Sequence, residues 1–89
     1  MNVQYRQLFL KDLKKLKKTD LYNRFYEFAF TALPEVDTLT DFSNIKAMVA
    51  YPGHYRFQFG DYRIGFILTD DALILMRILH RREFYRYFP

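Results

Sequence analysis

The chain has 89 residues, enough for one domain (1–89) and too few for the separate cofactor domain of a flavin- or nucleotide-dependent enzyme. Hydrophobic residues make up 51 % and charged residues 27 %, which is a globular balance, and the absence of cysteine excludes disulfides and thiolate metal sites. The net charge of +4 is uneven: residues 1–19 carry +5, residues 20–44 carry −4 and residues 45–89 carry +3. Such a distribution suits a polyanionic partner on one surface, and it also suits a plainly solvated one. The longest apolar runs, such as Ala72–Met76, are too short to span a bilayer, and no charged-then-apolar leader opens the chain, so a cytoplasmic location is expected. Ten Phe and eight Tyr exceed what so small a core needs, which predicts rings in a groove or an interface.

In chain order, a short strand is expected at Val3–Arg6 and a helix over Gln7–Lys18. Phe9, Leu13 and Leu16 share one face of that helix, with Leu10 at its edge. Lys11, Lys14, Lys15 and Lys18 take the other face, as a solvated surface or as a phosphate-facing stripe. Thr19 and Asp20 offer caps for a second helix, whose apolar face is Leu21, Phe25, Phe28, Ala29 and Ala32 and which Pro34 should stop.

The second half reads as sheet. Strands are expected at Asn44–Val49, His54–Phe59, Tyr62–Leu68 and about Ala72–His80. Tyr51-Pro52-Gly53 reads as a turn and Gly60-Asp61 as a two-residue hairpin loop. That loop pairs Phe59 with Tyr62, Phe57 with Ile64 and Tyr55 with Phe66 on a core face, leaving His54, Arg56, Gln58, Arg63, Gly65 and Ile67 on the other. For the last strand, a three-residue Thr69-Asp70-Asp71 loop places Ile74, Met76 and Ile78 on the core face and Arg77 opposite Arg63. A two-residue Asp70-Asp71 loop would push Arg77 into the core, where an unpaired charge is costly. The fold class is therefore α+β: two N-terminal helices packed on a twisted, mainly antiparallel sheet of four to five strands, with a short helical tail in Arg82–Pro89.

No metal-ligand spacing, phosphate-binding glycine pattern or nucleophile elbow is present, and Ser43 is the only serine. The remaining constellation is Arg56, Arg63, Arg77 and Arg81 with aromatics on one sheet face. Arginine forks match phosphate oxygens, and aromatic rings stack on unpaired bases. Pairing with Asp61, Asp70, Asp71 and Glu83 would quieten these charges, but four acids cannot neutralise the seven basic residues of 45–89.

The helical hairpin, Gly53-His54-Tyr55-Arg56, Gly60-Asp61-Tyr62-Arg63-Ile64 and the terminal Leu79-His80-Arg81-Arg82-Glu83-Phe84-Tyr85-Arg86, in that order over nearly the whole chain, resemble the RelE family of bacterial toxins. The resemblance implies a ribosome-dependent endoribonuclease that cuts mRNA by attack of the nucleotide's own 2′-hydroxyl, with no cofactor and no metal. Its partners would be the ribosome, mRNA and a cognate antitoxin, with operator DNA bound only through the antitoxin and no membrane. By the family pattern Arg63 stabilises the phosphate, Arg81 acts near the leaving oxygen and Tyr85 stacks on a base. Arg56 stands where the family often has lysine, and Gln58 follows it two residues on. His80 and His54 are second-tier candidates, as the side chains able to titrate near neutrality. Arg77, Arg82, Arg86, Lys11, Lys14, Lys15 and Lys18 are candidate phosphate contacts. Two other functions fit the same fold: a ParE-like inhibitor of DNA gyrase, and an inactive remnant that only binds its antitoxin. Neutralisation is expected through displacement of the tail carrying Tyr85, because a terminal segment has few contacts.

Overall fold

The computed structural model describes residues 1–89. The chain runs β1 (Val3–Tyr5), α1 (Gln7–Lys15), α2 (Leu21–Glu27), a π-helical turn (Phe28–Ala32), α3 (Leu33–Glu35), a 3-10 turn (Leu39–Asp41), β2 (Ile45–Ala47), β3 (His54–Phe59), β4 (Tyr62–Leu68), β5 (Leu73–His80) and α4 (Arg81–Tyr87). The strands form one five-stranded sheet in the order β1-β5-β4-β3-β2, antiparallel except for the parallel pair of β1 with β5. The fold class is the α+β arrangement expected from the sequence.

The first helix is shorter than its periodicity suggested. It ends at Lys15 because the chain tightens there: Leu16 N–H bonds Leu13 O, and the Thr19 hydroxyl donates to Leu16 O at 2.8 Å. The same hydroxyl accepts from Leu21 N–H at 3.2 Å, so Thr19 serves the start of α2, whereas the Asp20 side chain makes no cap bond. Phe25, Phe28 and Ala29 are buried, as the apolar face of α2 required. Pro34 does not stop this helix; the chain stays helical to Glu35. The π turn changes the bonding before it, with Leu33 N–H reaching back to Phe28 O. In this turn the Ala29 carbonyl also accepts the Tyr5 phenol at 2.7 Å, and burial pushes the pKa of that phenol up.

The β3–β4 hairpin has the predicted register at all of its pairs, from Phe59 opposite Tyr62 to His54 opposite Ile67. A φ of 56° at Gly60, with no positive φ at Asp61, is the pattern of a type II′ turn. Phe57, Ile64 and Phe66 are fully buried beneath the helices, in a cluster with Phe9, Leu13, Phe25, Leu33, Leu73, Leu75 and Ile78. Most of the surplus phenylalanine is therefore core: Phe9, Phe25, Phe57, Phe66 and Phe84 have no exposed surface. Each such ring contributes about 2–3 kcal/mol by burial.

The last strand departs from expectation. Leu68 pairs with Leu73, Ile67 with Ile74 and Phe66 with Leu75, but then Gly65 pairs with Arg77. Met76 is the extra residue of a β-bulge. The strand thus leaves its turn in the register of the rejected two-residue loop, and the bulge then turns Arg77 out of the core. Leu73, Leu75 and Ile78 take the core face, while Ile74 and Met76 do not. Arg77 lies opposite Gly65 rather than Arg63.

The second face of the sheet is not open. Helix α4 folds across it, and Phe84 and Phe88 pack with Met48, Leu79 and Met76 in a second small core. Gly65 makes room for this: a Cβ there would lie 2.7 Å from the Phe88 ring. Far from being loosely attached, the tail is anchored by Phe84 at 0 % and Phe88 at 3 % exposure.

Candidate functional site

Three rows of side chains cross the face beneath α4. His54, Ile67 and Ile74 form one; Arg56, Gly65 and Arg77 form the next; Gln58, Arg63 and Leu79 form the third. The β3–β4 turn then fixes two arginines at the end of the sheet. Arg63 Nη1 donates to Gly60 O at 2.6 Å and to Tyr62 O at 3.0 Å. Arg81 N–H donates to Asp61 O at 2.7 Å, and its Nε lies 3.3 Å from Asp61 Oδ1. One two-residue loop therefore holds the Arg63 guanidinium by the Gly60 carbonyl and the Arg81 guanidinium by the Asp61 carboxylate. The Arg81–Asp61 pair is exposed at both partners, so it holds Arg81 only weakly.

Arg56 is placed differently. Its Nη1 lies 3.4 Å from Ala47 O and 3.3 Å from Met48 Sδ, and its Cζ sits 5.6 Å from the centre of the Tyr85 ring. Tyr85 projects from α4 with 57 % of its surface exposed. Neither Arg56 nor Arg63 has a carboxylate partner, and the Nε of each is buried without a hydrogen bond. Two guanidinium groups without counter-ions thus lie on one face, and the exposed ring of Tyr85 covers the Arg56 one. This arrangement can receive phosphate oxygens and stack a base.

Arg77 does not join that group. Its Nε donates to Asp12 Oδ2 at 2.7 Å and its Nη2 to Asp12 Oδ1 at 3.1 Å. The hydrogen bond to Asp12 raises the pKa of Arg77 above the ordinary arginine value. Tyr87 stacks over the guanidinium at 5.4 Å. Asp12, only 3 % exposed, supplies the partner that Asp61, Asp70, Asp71 and Glu83 do not. Its signal was in the sequence: it lies three residues after Phe9 and four before Leu16, on the apolar stripe of α1, where a lone carboxylate requires a partner.

The two histidines make opposite bonds. His54 Nδ1 lies 3.0 Å from Pro52 O, and a carbonyl can only accept, so this nitrogen carries a proton. His80 Nδ1 lies 3.1 Å from Arg82 N–H and must accept. His54 lines a cavity of about 320 Å³ with Ile67, Met76, Arg77, Tyr87 and Phe88, away from the Gly60-Asp61 turn. Lys11, Lys14, Lys15, Lys18, Arg82 and Arg86 are exposed. No cluster of acids and histidines could hold a metal ion, and no helix is long and apolar enough to cross a membrane.

The sequence matches, over residues 3–85, the family described as ParE toxin of type II toxin-antitoxin system, parDE. The chain belongs to this family, and with it to the RelE/ParE group of toxins. It is 32 % identical over 90 residues to toxin RelE3 of Methanocaldococcus jannaschii, covering all of both chains. Among solved structures, the RelB-RelE antitoxin-toxin complex from Methanococcus jannaschii has a chain that superposes with a TM-score of 0.77 at 29 % identity, over 97 % of this chain and 99 % of that one. A chain of the Escherichia coli DinJ-YafQ complex gives a TM-score of 0.74 at 17 % identity, over 94 % and 97 % of the two chains, a likeness of fold.

Proposed function

We propose that this toxin cleaves mRNA on the ribosome by a metal-independent transesterification. The observation that carries the reading is that Arg56 and Arg63 stand on one sheet face without counter-ions, with the exposed ring of Tyr85 over Arg56. The substrate's 2′-hydroxyl releases its proton to water as its oxygen attacks the adjacent phosphorus, the bond to the 5′-oxygen breaks, and that oxygen takes a proton from water, leaving a 2′,3′-cyclic phosphate and a 5′-hydroxyl. Arg63 and Arg56 neutralise the charge that grows on the phosphorane oxygens. Arg81, exposed and tethered only to Asp61, stabilises the departing 5′-oxygen. Tyr85 stacks on a base and holds the nucleotide in line. The exposed Lys11, Lys14, Lys15 and Lys18, with Arg82 and Arg86, supply diffuse attraction to ribosomal RNA.

The partner that silences the toxin is a cognate antitoxin, a reading supported by the solved relatives, which are antitoxin-toxin complexes. It acts by covering the arginines or by lifting α4. Lifting α4 requires the antitoxin to bury side chains of its own where Phe84 and Phe88 now sit.

A second reading has support in the ParE name of the matching family: inhibition of DNA gyrase, with no use for the arginine group. Brief induction in bacterial cells with parallel labelling of protein and DNA synthesis separates the two. Protein synthesis should stop first, and Arg63→Ala or Arg81→Ala should abolish the arrest while the protein stays folded. An arrest of DNA synthesis first, or arrest by both variants, would overturn the ribonuclease reading.

A further inference from the structure

The structure assigns His80 a positioning role: we infer that its neutral ring caps α4 and thereby sets where Arg81 and Tyr85 stand. The inference rests on the ribonuclease reading for its catalytic arm, and on geometry alone for its structural arm. His80 is the N-cap residue, in extended conformation (φ −61°, ψ 144°), and its Nδ1 accepts from Arg82 N–H at 3.1 Å. Because an amide N–H can only donate, Nδ1 holds no proton and the neutral ring carries its hydrogen on Nε2. Both nitrogens are thus committed: one lone pair is used by the cap and the other site bears hydrogen. A general base needs a lone pair that this ring does not offer.

The cap bears directly on the site. Arg81 is the first residue of the helix and Tyr85 lies one turn further on the same side. Arg81 N–H is bonded to Asp61 O, so the junction between β5 and α4 is tied at successive residues. Around the ring stand Tyr62 of β4, edge-on at 5.4 Å, and, lining the same cavity of about 250 Å³, Asp12 and Lys15 of α1 and Glu83 of α4. Protonation at Nδ1 would set one donor against another and place a positive charge at the helix start, where the backbone dipole opposes it.

The test compares His80→Asn, His80→Ala and the unchanged full-length toxin. Asparagine is a strong N-cap but no base. Cleavage on programmed ribosomes should stay within about threefold in His80→Asn and fall at least about tenfold in His80→Ala. Hydrogen exchange of the α4 amides should quicken about fivefold in His80→Ala and remain slow in His80→Asn. If His80→Asn is as inactive as His80→Ala while its α4 amides stay protected, His80 is a base and the inference falls. If exchange is unchanged in His80→Ala, the cap does not hold α4 and the inference falls. If the unchanged toxin cuts nothing, the ribonuclease reading fails, and the exchange arm still decides the capping role.

Discussion

Asp12 and Arg77 are joined by a two-pronged ion pair, at 2.7 and 3.1 Å, and the same carboxylate accepts Ile78 N–H at 3.0 Å. The edge of β5 beyond the reach of β1 is thus partnered by a helix side chain instead of a strand. Removing Arg77 strands a carboxylate that is 3 % exposed, whereas removing Asp12 leaves a guanidinium able to reach water. Arg77→Ala should therefore cost about 3–5 kcal/mol and Asp12→Ala about 2–3 kcal/mol in urea unfolding. If Arg77→Ala instead kept full stability and lost cleavage, Arg77 would belong with the phosphate-binding arginines after all.

The notch at Gly65 makes a coupled prediction. Gly65→Ala forces the Phe88 ring aside and should cost about 1–3 kcal/mol, with loosening of the tail. In a Phe88→Ala background the same change should be nearly neutral, since the obstructing ring is gone. A double-mutant cycle reads this as a coupling energy. Additive costs would mean that Gly65 serves its strand and not the tail.

Tyr85 should act through its ring. Tyr85→Phe keeps both the face toward Arg56 and the surface for a base, so cleavage should stay within a few-fold. Tyr85→Ala loses about 1–3 kcal/mol of stacking, a fall of roughly 5- to 150-fold in kcat/KM. An equal loss in both variants would transfer the role to the hydroxyl.

Tyr5 links stability to alkaline pH. Burial raises the pKa of its phenol, so the folded chain holds the proton more tightly than the unfolded chain does. The resulting stability is complete below the ordinary tyrosine value of 10.0 and is lost as pH rises through the higher folded value. Thermal unfolding across this range should show a steeper loss for the unchanged protein than for Tyr5→Phe. Parallel curves would remove Tyr5 from the linkage.

What the sequence revealed follows from how local each signal was. The Gly60-Asp61 loop set a full hairpin register because two residues determine which side chains face each other. The placement of Arg56 and Arg63 on the face away from the main core was legible for the same reason, whereas that of Arg77, which lies past the bulge and pairs with Asp12, was not. The bulge at Met76 was not legible. It resolves a conflict between the turn, which favours one register, and the charge of Arg77, which forbids that register further along. The seating of Phe88 depends on a gap at Gly65 some twenty residues away, and only the folded chain reveals that fit. The π turn after α2 likewise involves Tyr5, from another element.

The sheet order has a consequence for the order of synthesis. Strand β5 lies between β1 and β4, so the residues made first, Val3–Tyr5, find their neighbour only in Leu73–Leu75. A nascent chain that stops short of β5 has a hairpin and two helices, but the core between them lacks Leu73, Leu75 and Ile78. The carboxylate of Asp12 then stays in water, and nothing seats the ring of Phe88 over Gly65. Assembly waits on contacts far apart along the chain, which slows folding. Until they form, Arg56 and Arg63 are two charges on an unfinished hairpin, and the folded toxin exists only once β5 has been made.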